Sequence, residues 1–368
     1  MSEPDPADLA SAILRESGPN HAAAVSVSCA AGRFHVCTGF TSLAARTPVT
    51  CHSAFEVGSV SKTFTALLLA VLMEEGILSG DALLADYVPA RCVPKAPTAR
   101  RITALHLATH TSGLPHLAPR MLLKAVPAYV TDPYRHYHED DLLQDLVHAR
   151  PRFTPGAAAH YSNFGFALLG HLIEHATQRT FADLIDEKIT IPMGLTQTTA
   201  HRDRAQADGY WHNLRVPPLN TPAFFGAGSI RSSAHDLTRY LHQHINPAPE
   251  LPDALRRALH AVLHPLVGLR TPMAWHHRQT GNGDLYLHPG STRGFTAFIG
   301  FGPTARTTCA AVASRGWTRR NTLIQNSYLL LRHYTALSPL PHVTPPAATA
   351  STLGPPKSDP PTPQQSTL

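Results

Sequence analysis

The residues that can do chemistry begin at Phe55-Glu56-Val57-Gly58-Ser59-Val60-Ser61-Lys62-Thr63-Phe64. A serine and a lysine stand three positions apart at the head of an apolar run, Phe64 to Leu72, that reads as a buried helix. Positions i and i+3 share a helix face, so the Lys62 amine can reach the Ser59 hydroxyl. In the first turn of a helix, unpaired N–H groups and the helix dipole favour developing negative charge. Burial lowers the pKa of a lysine and makes its amine a usable base. Such a pair activates a serine without a histidine. Ser-x-x-Lys alone also describes a capped helix start with a solvated lysine. Lysine is scarce, however, with only Lys95, Lys124, Lys188 and Lys357 besides Lys62. One lysine inside an apolar helix is poorly explained as surface decoration.

Two further clusters bear on the same chemistry. Tyr161-Ser162-Asn163 precedes an apolar helix that starts at Phe164. A tyrosine beside a lysine ionises more easily, because the ammonium stabilises the phenolate. Tyr161 is therefore a candidate base for Ser59 and a candidate acid for the leaving group. The plainer reading is an N-cap at Ser162 or Asn163, with Tyr161 as a packing residue. At His288-Pro289-Gly290-Ser291-Thr292-Arg293-Gly294-Phe295, small residues on a strand would let a substrate backbone approach. The Ser291 N–H, with that of Ser59, can form an oxyanion hole. Against this stands a bulged strand carrying a solvated histidine.

The elements that must position these groups follow from the periodicity. A short amphipathic helix at 7–17 precedes two β-like runs, Ala24–Ser28 and Phe34–Phe40, joined by a hairpin. The Ser59 helix ends near Gly76. The middle of the chain is helical: Ile102–Thr109, Leu142–Ala149, Phe164–Ala176, Phe181–Ile185, Asp236–His244 and Asp253–Leu263. Strand patterns return at Met273–Arg278, Leu285–His288, Phe295–Gly300 and Thr307–Ala313, and the turn at Gly302-Pro303 makes neighbours antiparallel. A last helix covers Thr322–Tyr334. Residues 338–368 are rich in Pro, Ser and Thr and read as a disordered tail.

The expected fold is α/β (α+β): one antiparallel sheet from both chain ends, flanked by helices, with an inserted helical subdomain. The sheet part takes about 20–58 and 265–337, and the helical part about 59–264. A crevice between the two, with Ser59 in it, is a common place for a ligand pocket.

The chain has 368 residues, enough to bury a large core, and its net charge is +6. Arginine pairs such as Arg100-Arg101 and Arg256-Arg257 are isolated, with no block of like charge, so neither nucleic-acid nor membrane binding is expected. No run is long enough to span a membrane. The acidic start, Met1-Ser2-Glu3-Pro4, has no secretory pattern, and a cytoplasmic location is expected. Of the five cysteines no pair forms Cys-x-x-Cys; free thiols are the default, and Cys29 with Cys37 is the pair a disulfide would join. Among the 24 histidines, His136-x-His138, His242-x-His244 and His276-His277 lack a third ligand at a defined spacing, so no metal is expected.

The order Ser-x-x-Lys, Tyr-x-Asn, His-x-Gly resembles the serine β-lactamase and penicillin-binding-protein superfamily, in particular its class C branch with family VIII carboxylesterases, D-aminopeptidases and some acyltransferases. Leu107-Ala108-Thr109-His110-Thr111-Ser112-Gly113-Leu114-Pro115, Ile191-Pro192-Met193-Gly194-Leu195 and the segment from Gly226 to Leu237 are also similar, so the likeness covers about residues 20–335. The resemblance implies Ser59 as the acylated nucleophile, Lys62 as its activating amine, Tyr161 as a second base and Asn163 as a substrate-orienting amide. His288 stands where many lactamases have the lysine of Lys-Thr-Gly, and Gly290 matches its glycine. His-x-Gly is closer to the peptidase and esterase members. Two departures stand out. Pro289 removes a backbone N–H, which predicts local loss of pairing. Arg293 replaces a glycine, to narrow the pocket or meet a substrate carboxylate. The function implied is a serine hydrolase that cleaves a small ester or amide through an acyl-enzyme, without a cofactor. Esterase or peptidase activity ranks above β-lactamase activity. An acyltransferase with the same intermediate, and a non-catalytic binding protein on the same fold, are the alternatives.

Overall fold

Alternation builds the first strands. In Ala23–Cys29 (β1), Ala23, Val25 and Val27 point to one side of a sheet and Ala24 to the other, where Ser26 meets Thr238. Gly32–Thr38 (β2) returns beside it. The other four strands come from the end of the chain: His276–Thr280 (β3), Gly283–Ser291 (β4), Thr296–Gly302 (β5) and Thr307–Ala313 (β6). The six strands lie in the order β2-β1-β6-β5-β4-β3, antiparallel throughout. This computed structural model describes residues 6–16, 21–126, 132–264, 271–316, 318 and 322–337. The expected tail from 338 onward lies outside them.

Helices supply the rest of the core. Pro6–Glu16 (α1) and Leu323–Leu337 (α6) cover one face, with Ile13, Leu14, Leu330 and Leu331 against Val25, Val27 and Phe298. Between the two groups of strands the chain forms Ser61–Glu74 (α2), Asn163–Thr177 (α3), Ala234–Ile245 (α4) and Asp253–Ala261 (α5), among shorter helices. Helix α2 is apolar almost all round, and residues 61–72 are all buried. Such a helix can exist only inside a protein. Helix α4 instead shows one apolar face, with Leu237, Tyr240 and Leu241 buried, and lies on the sheet face opposite α1. The antiparallel sheet from both chain ends is the expected architecture.

Several boundaries differ from the periodicity. The run Phe34–Phe40 breaks at Gly39 (φ 81°), and Phe40–Ser42 pairs instead with Thr47–Pro48. Met273-Ala274-Trp275 is buried but not a strand. Ala274 has φ 61°, and the Met273 and Ala274 N–H groups bond to Val262 and Ala108, so β3 starts only at His276. Pro289 does not unpair β4: it lies opposite Phe298 of β5. Pairing with β3 ends at Leu287, so Pro289 sits on a free edge on that side, where no ladder bond is lost. All five cysteines are free thiols, Cys29 and Cys37 included. Among the described residues, no helix is long and apolar enough to cross a membrane.

Candidate active site

The nucleophile candidate is placed by a short turn. Ser59 lies in the 3-10 turn Gly58–Val60 that leads into α2, and Lys62 is in the first turn of that helix. The short strand Phe55–Glu56 pairs with Arg231–Ser232, and the Val57 N–H donates to the Ile230 carbonyl. The Ser61 hydroxyl accepts from the Ile230 N–H. These bonds fix the turn against residues 227–232.

Lys62 is 0% exposed. Its Nζ lies 3.0 Å from Ser59 Oγ and 2.8 Å from the Ala227 carbonyl oxygen. Burial holds its pKa well below that of a solvated lysine, which favours the uncharged amine. The Tyr161 hydroxyl is hydrogen-bonded to Ser59. Two groups that can move protons thus meet on one hydroxyl.

Tyr161 reaches that position because Ser162 caps α3. The Ser162 hydroxyl accepts from the Gly165 N–H at 2.8 Å and donates to the Pro115 carbonyl at 2.7 Å. The cap at Ser162 is thus compatible with Tyr161 standing beside Ser59. The ionisation of Tyr161 differs from the sequence expectation. Its pKa is pushed up to about 12, chiefly by burial, despite the bond from Ser59. Lys62 Nζ lies over the ring face, 5.1 Å from its centroid. Tyr161 is a neutral phenol here, not a ready phenolate.

Strand β4 closes the site from the other side. Its period of two puts His288 and Gly290 on the face toward Ser59. A Cβ on Gly290 would collide with the Val57 carbonyl and stand 3.2 Å from Ser59 N, and one on Gly58 (φ 53°) would stand 2.7 Å from Ser291 N. Only glycines allow this approach. It brings the Ser59 and Ser291 amides to one crevice. His288 is 1% exposed, and burial with the neighbouring His276 and Lys62 holds its pKa well below the usual imidazole value. Its Nδ1 lies 2.7 Å from the Pro289 carbonyl oxygen. A carbonyl only accepts, so Nδ1 carries the proton and Nε2 is a bare acceptor, buried and without a partner among the described residues.

A cavity of about 430 Å³ opens on Ser59. Tyr161, Asn163, His288, Gly290 and Ser291 line it. Arg293 is not among its described lining residues; its guanidinium lies over the Trp211 ring, 4.9 Å from the centroid. Asn163 Nδ2 lies 3.3 Å from His116 Nε2.

The family model for Beta-lactamase matches residues 14–329, most of the chain and every residue of this site. The chain belongs to the β-lactamase family. Among the curated relatives, it is 29% identical over 196 residues to the "D-alanyl-D-alanine-carboxypeptidase/endopeptidase AmpH" of Escherichia coli K12, covering 53% of this chain and 49% of that one. It is 30% identical over 229 residues to "Penicillin-binding protein 4*" of Bacillus subtilis 168, covering 56% and 48%. The chain thus spans about half the length of these relatives. A crystal structure of a β-lactamase/D-alanine carboxypeptidase from Pseudomonas syringae shares the fold, with a TM-score of 0.75 at 20% identity over 89% of this chain and 98% of that one.

The wall of this β-lactamase-family cavity also holds groups that the sequence reading did not single out. His116, Tyr134, Phe224 and Ala227 line it, and so does His276, which was weighed only as a metal ligand. His116 follows directly on Gly113-Leu114-Pro115, and Ala227 lies in the Gly226-Ala227-Gly228 segment, so both stood inside motifs already noticed. Tyr134 carries no local signal; it is fixed through Phe224, with ring centroids 5.1 Å apart. Four imidazoles surround the Tyr161 ring: His110, His116, His276 and His288, at 4.5, 5.6, 6.5 and 6.4 Å between centroids. All four have lowered pKa values, burial being the largest cause each time. Among the described residues, no group of three or more His, Cys, Asp or Glu is placed to hold a metal ion.

Proposed function

We propose that the protein is a serine hydrolase that cleaves a small ester or amide through an acyl-enzyme on Ser59. The observation that carries this reading is the fully buried Lys62 amine 3.0 Å from Ser59 Oγ. The uncharged amine takes the hydroxyl proton as Ser59 Oγ attacks the substrate carbonyl. The Ser59 and Ser291 N–H groups receive the oxyanion. Tyr161, protonated, gives its proton to the leaving oxygen or nitrogen and regains one from the Lys62 ammonium. Asn163 orients the substrate. Water then attacks the ester, with Lys62 again as base, and frees Ser59.

The lining favours an uncharged substrate. Among the described residues that line the cavity there is no arginine, lysine, aspartate or glutamate. Its three histidines are held neutral by burial. His288 Nε2 offers a lone pair, which suits a substrate N–H or O–H and repels a carboxylate. A carboxypeptidase substrate ends in a carboxylate, as its name requires, and a penicillin also carries one. Among the described lining residues these groups find no cation, so we rank esterase or amidase activity above both.

The test compares kcat/KM for p-nitrophenyl butyrate, benzylpenicillin and a D-alanyl-D-alanine peptide near pH 7.5. The ester is expected to lead by about 100-fold. A charged hydrogen bond contributes about 1.5–3 kcal/mol, so His288→Lys should raise turnover of the carboxylate substrates about 10-fold or more. A wild-type preference for penicillin or the peptide would overturn the substrate assignment.

A further inference from the structure

The end of the sheet away from Ser59 carries a second set of groups without partners among the described residues. Ser291 aligns through Thr296 and Ala313 with Ala23, at the start of β1. Ser28 lies five residues further along β1, about 17 Å away at 3.3–3.4 Å per residue. Directly opposite Ser28 are Arg33 on β2 and Thr308 on β6. Opposed residues share a face. This is the face covered by α4, since Ser26 bonds to Thr238 there. The last turns of α4 bring His242, Gln243 and Asn246 over the row, and the β5–β6 turn adds Arg306. Together they line an open cavity of about 610 Å³, at whose rim Arg33 and Arg306 are solvent-exposed.

The chemistry of this cavity is one-sided. Among the described residues, no aspartate or glutamate lines it, nor the adjoining cavity where Arg33 and His242 continue to His35, His235 and Arg239. Among the described residues, neither Arg33 nor Arg306 has a carboxylate partner. Two polar atoms there are buried without a hydrogen bond among the described residues: His242 Nε2 and, on the fully buried Thr308 beneath, Oγ1. Burial, and after it the nearby Arg33 and Arg306 charges, hold the pKa of His242 down to about 4. A helix C-terminus attracts cations, which accounts for a guanidinium near the end of α4. It leaves the Thr308 hydroxyl and His242 Nε2 still without a hydrogen-bond partner among the described residues.

We propose that this cavity binds a small soluble oxyanion, a phosphoryl or polycarboxylate group with at least two acceptor oxygens, held between Arg33 and Arg306. Guanidinium forks match such oxygens in pairs. The site is separate from the Ser59 cavity and does not rest on the hydrolase assignment.

The experiment is titration calorimetry of the full chain with inorganic pyrophosphate and, separately, with citrate, at 50 and 300 mM salt. We expect at least one anion to bind with a Kd below about 1 mM and to weaken at the higher salt. In the double variant Arg33→Ala/Arg306→Ala, binding should fall at least about 10-fold, while thermal unfolding confirms the fold and ester hydrolysis is unchanged. Binding of pyrophosphate alone assigns a phosphoryl ligand, and binding of citrate alone a polycarboxylate. The proposal fails if neither anion binds the wild type, or if the double variant binds as tightly.

Discussion

Ser59 stands between two groups that burial moves in opposite directions: it lowers the pKa of Lys62 and raises that of Tyr161 to about 12. Both shifts favour the uncharged form. At neutral pH the amine is thus the base and the phenol the proton donor. The sign for activity follows. As pH rises through the depressed Lys62 pKa, the amine loses its proton and acylation accelerates. Tyr161 keeps its proton until far above pH 10, so no early alkaline loss comes from it. We expect kcat/KM for an ester to fall in acid along a limb set by Lys62. Tyr161→Phe should lower the rate about 100-fold or more yet retain that limb. Lys62→Met should abolish the limb with the activity. If Tyr161→Phe removes the limb and Lys62→Met keeps it, the roles are reversed.

At the scale of elements, the site depends on how closely β4 approaches the Ser59 turn. A methyl group on Gly290 meets backbone, the Val57 carbonyl, which cannot move aside as a flexible side chain would. Overpacking of this kind costs about 1–3 kcal/mol. Gly290→Ala should lose that much in urea unfolding and lose ester hydrolysis as well. Gly228→Ala is the control, because nothing lies within 4 Å of its added Cβ, and its stability should change little. If Gly290→Ala is as stable and active as the wild type, the close approach is not required. The sequence carried much of this arrangement. Alternation marked β1, strand-like runs buried on both faces marked β5 and β6, and an all-apolar run with one lysine marked α2. It misplaced the start of β3, because Met273-Ala274-Trp275 is apolar enough to read as a strand. Burial there comes from docking on Val262 and Ala108, contacts far away in the chain. Tyr134 and the direction of the Tyr161 shift were hidden for the same reason. Each depends on what packs around a side chain, not on its neighbours in sequence.

The whole molecule uses one sheet from both chain ends to present different chemistry at its two ends. At one end, β4 faces the Ser59 turn with a cavity free of fixed charge among its described lining residues. At the other, Arg33 of β2 and Arg306 of the β5–β6 turn have no carboxylate partner among the described residues. The order of three short motifs made the family legible, since matching all three at once is far more specific than Ser-x-x-Lys alone. The matched region, 14–329, nearly coincides with the likeness seen in the motifs. What the motifs leave open is which acyl group enters, since the cavity walls come from segments scattered between Gly58 and Ile324. The claim on which the rest depends is that Ser59 becomes acylated. Intact-protein mass spectrometry after brief exposure to p-nitrophenyl butyrate and to a fluorophosphonate tests it directly, with Ser59→Ala as the control. We predict one covalent adduct per chain on the wild type, mapped to the peptide holding Ser59, and none on the variant. No adduct on folded wild-type protein, or equal labelling of Ser59→Ala, would contradict the account.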